Sequence, residues 1–412
     1  MTGSTAPAPA PSTFMRMRPA MGMGAAMMVV WGLVYAFPVF VLPMSAELHA
    51  DRAALAGIVV AILFWTAVIG PPLGALVDRT GPRPALVVGI GLSSVGFALF
   101  GQVQELWQAY VAFAGILGTG QALVYLGANV LIGRHFAGER ATAYGIAYAG
   151  LGLGTGLYAI VAQVLVDELG WRMATLALAA TPILILPGVL RLHPREAAPG
   201  DEPAGEPAAA AALSDAAVPD AAVGAGTIGV FVLVFLSSVA LGLVDEGIYQ
   251  NLLPHAVSVG FGATVAAVAL GVVSFAYVGG QLIGGPLVDR WGAARGTLVG
   301  FVAAGLGMAA VVLAGARLPA PDAWLMVGTA LYGAGLAVLL LIRLSTFADR
   351  FAGPRFGFLS GIFALAYPIG GSAVAWFGGY AFDTWGDYLP AFGVSAAGLV
   401  LATVALLAVA RR

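Results

Sequence analysis

Three ionisable side chains, Asp245, Glu246 and Arg343, stand inside long apolar stretches of this 412-residue chain. Seating such a group at the centre of a lipid-embedded helix costs about 2.5–3.5 kcal/mol on insertion scales, so each marks a functional position by default. Their chemistries are complementary. A carboxyl group in apolar surroundings can take up and release a proton, which makes Asp245 and Glu246 candidate proton carriers. Asp245 shares a helical face with Tyr249, and Glu246 shares the next with Gln250. Consecutive helical positions diverge by about 100°, so one of the two carboxylates faces a common cavity and the other does not. The competing place for both is the watery mouth of the helix. Arg343 is a permanent cation whose planar fork matches a carboxylate. It stands about two turns, roughly 10 Å, from Arg350 at the rim. Two roles fit that depth: an anion-binding group facing a cavity, or a snorkelling side chain whose head reaches the lipid headgroups. Its helical face also carries Tyr332, Leu336 and Leu339.

The elements that hold these groups follow from composition. Hydrophobic types make up 60% of the chain and charged types 9%, whereas a soluble domain carries about a quarter charged residues. Lipid is the solvent such a chain requires. Apolar runs of roughly 20 residues, the length of a membrane-crossing helix, recur along almost the whole sequence. Each backbone polar group in hydrocarbon must be satisfied internally, so the runs become helices. The short alternating strands of an outer-membrane barrel do not occur. The expected fold is an all-α polytopic bundle of twelve spans, near 20–43, 54–75, 84–102, 107–131, 141–165, 172–191, 228–251, 263–286, 296–316, 323–346, 357–381 and 387–410.

Between the sixth and seventh spans lies an Ala-, Pro- and acid-rich stretch without apolar period, read as a flexible cytoplasmic linker over 192–227. It separates an N-terminal six-helix bundle (20–191) from a C-terminal one (228–410). Residues 1–19 begin MTGSTAPAPAPST and read as a disordered tail, without the basic start and short apolar core of a cleaved signal. All 18 basic residues are arginine, and their placement sets orientation. With the N-terminus inside, the inner segments hold Arg16, Arg18, Arg79, Arg83, Arg134, Arg140, Arg191, Arg195, Arg290, Arg295, Arg350, Arg355, Arg411 and Arg412. The outer segments hold Arg52, Arg172 and Arg317. The expectation is an inner-membrane protein with both termini cytoplasmic.

The chain repeats itself. A shift of 211 carries Pro43 to Pro254, Gly74 to Gly285, Asp78 to Asp289, Arg79 to Arg290 and Gly81 to Gly292. A shift of 215 carries HFAGER (His135–Arg140) onto RFAGPR (Arg350–Arg355). GALVDRTGPRP and GPLVDRWGAAR are thus equivalent loops in a duplicated bundle. Gly74 and Gly285 let helices approach closely. Asp78 and Asp289 suit the exposed N–H groups of a nearby helix start. Arg79, Arg83, Arg290, Arg140 and Arg355 can pair with carboxylates in one conformation and release them in another. Together these residues read as a conformational gate.

The G-x-L-x-D-R-x-G-x-R loop after the second span resembles the signature loop of the major facilitator superfamily. Within it the chain resembles the monocarboxylate transporters and their bacterial oxalate–formate exchanger relatives. The similarity is carried by Tyr35–Leu48, Arg134–Gly154, Gly170–Leu176 and Pro254–Gly262. The resemblance implies two six-helix bundles around a central cavity that open alternately to the two sides. It implies solute contact at His255 and at the eighth-span pair Tyr277 and Gln281. There the family commonly has an Asp and an Arg, and the Arg holds a carboxylate. The family's lysines of spans one and eleven correspond to Val39 and to the neighbourhood of Gly370. Arg343 is the one intramembrane cation left to replace them. Tyr35, which the repeat aligns with Glu246, and Gln121, Tyr125 and Asn129 at helical spacing in span four complete the candidate lining.

Other classes are poorly served. Cysteine is absent and the 4 histidines are scattered, so thiol and metal-ligand catalysis lack their residues. No phosphate-binding loop followed by Lys occurs, and GLGLGTG sits mid-membrane as packing glycine. No cofactor, nucleic acid or obligatory protein partner is expected. The expected function is secondary transport of a small organic solute, a carboxylate-type anion, coupled to protons. The runner-up is an efflux carrier for amphipathic or cationic compounds, favoured by the acidic pair and the missing family cations.

Overall fold

The computed structural model describes residues 13–192, 225–315 and 319–411, which leaves Arg195, Arg317, Arg412 and most of the expected linker outside the described residues. All twelve expected spans are helices: α1 Phe14–Leu48, α2 Gly57–Thr80, α3 Pro82–Phe100, α4 Leu106–His135, α5 Arg140–Leu169, α6 Trp171–Leu192, α7 Gly226–Ser258, α8 Thr264–Trp291, α9 Ala293–Ala314, α10 Pro321–Phe351, α11 Phe356–Trp385 and α12 Leu389–Ala410. No strand occurs among the described residues. The first helix already runs from Thr13, inside the stretch read as a tail. The architecture is two pseudo-symmetric six-helix bundles.

The helices hold together by different means at different depths. In the first bundle, Phe37, Phe40, Phe97, Phe100 and Phe113 pack ring on ring, with centroids as close as 4.9 Å. In the second, Leu241, Val244, Ile248, Tyr332, Leu336 and Leu399 fill the equivalent core. A third cluster crosses between bundles, joining Met23, Leu131, Tyr144 and Tyr148 to Leu341, Leu344, Phe347 and Phe363. Where backbones must touch, glycine replaces side chains. A Cβ on Gly74 would overlap the Gly357 carbonyl, and one on Gly361 would overlap the Gly70 carbonyl. Gly145 faces the Gln281 carbonyl in the same way, and a Cβ on Gly285 would lie 2.8 Å from the Ala141 carbonyl. These approaches zip α2 to α11 and α5 to α8 at one end of the molecule, the end that bears the duplicated loops.

Those loops have one backbone. Gly81 and Gly292 stand at φ 86° and 81°, in the left-handed region that favours glycine. Each donates its N–H back to the preceding helix, Gly81 to Val77 and Gly292 to Val288, both at 2.9 Å. Each helix therefore stops and the next restarts within one residue.

Three spans depart from regular helix. α1 is interrupted at Ala36, immediately after Tyr35 and before Pro38. α11 is interrupted at Leu365, one turn before Pro368. In α4, Tyr110–Leu117 forms a π-helical segment. The first two interruptions flank the residues described next.

Candidate functional site

Arg343 sits deep in α10 at 6% exposure. Its guanidinium lies 5.3 Å from the ring centroids of Phe363 and of Tyr367, on either side of the α11 interruption. Nη1 donates to Ser238 Oγ on α7 at 2.6 Å. Nε has no partner, and among the described residues Arg343 forms no ion pair. A burial this complete rules out snorkelling: the head is held by rings and a hydroxyl, inside the protein.

The acidic pair occupies the same junction. The Tyr367 hydroxyl donates to Asp245 Oδ2, so one aromatic ring touches both the cation and the carboxylate. Glu246 takes a different neighbour, accepting from Gln250 Nε2 at 2.9 Å, and its side chain packs against Gly371. The divergence of adjacent helical positions is realised: Asp245 belongs to the Arg343 group and Glu246 turns to the next face. Tyr35 lies across from them, within electrostatic reach of Asp245, Glu246, Tyr249 and Tyr277, and is still 47% exposed.

The other expected contacts divide. Tyr277 joins the group, in electrostatic reach of Asp245 and Arg343. Gln281, one turn on beside Tyr277, is fully buried, and neither amide atom makes a hydrogen bond of good geometry. Tyr125 packs beside Trp31 at 6.3 Å between centroids, and Asn129 donates to the Tyr125 carbonyl while its Oδ1 has no partner. Tyr249 is half-buried one turn beyond Asp245. Two residues are placed otherwise. Tyr332 is fully buried and its hydroxyl donates to the Val244 carbonyl at 2.7 Å, so it braces α10 against α7 rather than facing the cavity. His255 is buried edge-on to Phe392, 4.8 Å between centroids, and faces Tyr388; it packs α7 on α12 and is not brought to the Arg343 group.

At the zipped end the signature carboxylates cross between bundles. Asp78 accepts from the N–H groups of Gly357 (2.7 Å) and Phe358 (2.9 Å) at the start of α11, and from Arg134 (2.8 Å). Asp289 accepts from the N–H groups of Ala141 (3.0 Å) and Thr142 (2.8 Å) at the start of α5, and from the Thr142 hydroxyl. Each half thus caps a helix of the other. Arg140 donates to Asp349 across the bundles and, through Nε and Nη2, to the Gly133 carbonyl. Of the expected loop arginines, Arg79 and Arg290 are exposed, Arg83 is half-buried, and none of these three forms an ion pair among the described residues. Arg355 stands at the N-cap of α11. The charged partners at this end are instead Arg134, with Asp78, and Asp349, with Arg140.

Sequence reading missed Ser238, Tyr367, Tyr144 and Tyr148 as well. Only Arg140, Tyr144 and Tyr148 carried a signal, a spacing of four that puts them on one face of α5.

Twelve apolar helices in two related bundles, with a buried ionisable cluster in the second, define a polytopic membrane protein. A family model described as Major Facilitator Superfamily matches residues 21–244 and 226–412, and the chain belongs to that superfamily. Among its relatives are the monocarboxylate transporters. Monocarboxylate transporter 11 of Homo sapiens is 32% identical over 249 residues, 59% of this chain and 50% of the relative. The chain thus spans about half the length of that relative. Monocarboxylate transporter 13 of Bos taurus is 26% identical over 376 residues, 90% of this chain and 84% of the relative. The fold is shared with the superfamily transporter FucP in its outward conformation: TM-score 0.69 and 16% identity, covering 94% of this chain and 97% of that one.

Proposed function

We propose that the chain moves a small organic carboxylate together with protons across the inner (plasma) membrane by alternating access. The observation that carries this is Arg343: a buried guanidinium, without an ion-pair partner among the described residues, at the junction of α7, α10 and α11. A charge so placed needs an anion, and a solute carboxylate provides one. The printed names of the relatives, monocarboxylate transporters, support the same solute class. Asp245 is the proton carrier in this scheme. The Tyr367 hydroxyl links it to the ring that packs on Arg343, so protonation of Asp245 and occupancy at Arg343 act on one side chain. Glu246 is a second candidate, one helical face away. The arginine bias supports a cytoplasmic place for the zipped end and both termini, so a state closed there is one that faces outward.

Uptake into proteoliposomes under an imposed pH gradient tests the solute class, using radiolabelled monocarboxylates, dicarboxylates and organic cations. Monocarboxylates are expected to accumulate when the pH is lower on the side of entry. Accumulation of organic cations alone would instead support an efflux carrier built around the acidic pair.

A further inference from the structure

A buried polar group without a hydrogen bond calls for a water, an ion or a ligand. Several such groups lie on α5, α8 and α10, three helices that pack on one another. The hydroxyls of Tyr144 and Tyr148, both amide atoms of Gln281 and Nε of Arg343 make no hydrogen bond of good geometry among the described residues, although Tyr125 lies beside the Tyr148 hydroxyl and Tyr277 beside Gln281. Each of these side chains is at least nine-tenths buried. Tyr144 and Tyr148 stand one turn apart on α5, ring centroids 6.1 Å apart, in the cluster that contains Leu341, Leu344 and Phe347 of α10. The charge of Arg343 reaches both hydroxyls. Gly145, between the two tyrosines, packs its backbone on the Gln281 carbonyl. The first half of the molecule thus contributes two hydroxyls, and the second a guanidinium edge and an amide, on helices in contact.

The chemistry of the gap is one-sided. A guanidinium N–H, an amide NH2 and two hydroxyls are four donor groups, and a carboxylate offers about four lone-pair sites on two oxygens. A single fixed cation suits a single negative charge. We infer that Tyr144 and Tyr148 complete the solute site from the first half, donating their hydroxyls to the monocarboxylate that Arg343 holds from the second. This rests on the reading of Arg343 as the solute-binding cation and adds the residues that make the solute a bridge between the halves. The same face of α5 continues to Arg140, which pairs with Asp349 at the zipped end. Grip on the solute and closure of the gate are thereby set on one helix face.

The test is calorimetric titration of the full chain in lipid nanodiscs with acetate, pyruvate and L-lactate. Tyr148→Phe and Tyr144→Phe, which keep the rings and remove one oxygen each, are expected to weaken the best-bound acid about tenfold, as loss of a hydrogen bond to a charged group does. Arg343→Ala is expected to abolish the binding. If Arg343→Ala loses binding but both tyrosine variants bind as the parent does, the hydroxyls hold only water and this inference falls while the carboxylate site stands. If the parent binds none of the three acids, or Arg343→Ala binds them unchanged, the carboxylate reading falls and takes this inference with it. Should Tyr144→Phe fail to fold, Tyr148→Phe, at the less completely buried of the two positions, decides alone.

Discussion

Arg343 owes its environment to residues far from it in sequence: Ser238 on α7, Phe363 and Tyr367 on α11. Its own position was legible because a lone cation in an apolar run has few reasons to exist. The partners were not, since Ser, Phe and Tyr are ordinary lining of a helix bundle and acquire meaning only when packing brings them to a charge. The same holds for Tyr332, where helical spacing placed it on the Arg343 face and the fold turned its hydroxyl to the Val244 carbonyl. Two outcomes follow at this scale. Asp245→Asn should leave solute exchange intact while removing the acceleration by a pH gradient in proteoliposome flux; Glu246→Gln, on the neighbouring face, should keep it. Tyr332→Phe should lower stability by about 1 kcal/mol through the lost hydrogen bond, seen as a lower unfolding temperature, with unchanged solute affinity.

The helices themselves were almost wholly readable, because a membrane span announces itself by length and apolarity. Their irregularities were not. Nothing local distinguishes the π-helical Tyr110–Leu117 from the regular turns beside it. The interruptions at Ala36 and Leu365 lie near Pro38 and Pro368, yet Pro19, Pro182 and Pro254 sit inside uninterrupted helix. A proline opens a helix only where neighbours take up the freed backbone groups. The gate was legible in one respect, its duplication, and illegible in another: Asp78 and Asp289 cap helices of the opposite half, a pairing that no spacing within either half displays. Gly74→Leu would drive a side chain into the Gly357 backbone, so the zipped end cannot close. Transport should fall at least tenfold. A cysteine placed at Ser360, which is almost fully buried on α11, should turn from unreactive to reactive toward maleimide in that background. The parent chain contains no cysteine, so such labelling has no background.

At the scale of the whole molecule, two related bundles meet through close packing at the end that bears the duplicated loops. Glycine contacts and carboxylate caps make the tight end. Tyr35, exposed yet within reach of the acidic pair, lies away from that end. Hydrogen bonds to exposed helix starts are cheap to exchange for water, which lets such a gate release without unfolding anything. Asp78→Asn combined with Asp289→Asn should therefore shift the population toward the state open at the loop end. In spin-labelled protein, the distance between labels on Thr80 and Arg355 should lengthen. The central claim is that a solute carboxylate held by Arg343 crosses as the bundles rock. Its most direct measurement is pH-gradient-driven accumulation of a labelled monocarboxylate in proteoliposomes by the parent chain and by Arg343→Ala at matched protein density. Accumulation by the parent and its loss in Arg343→Ala is the predicted result; equal accumulation by both would contradict it.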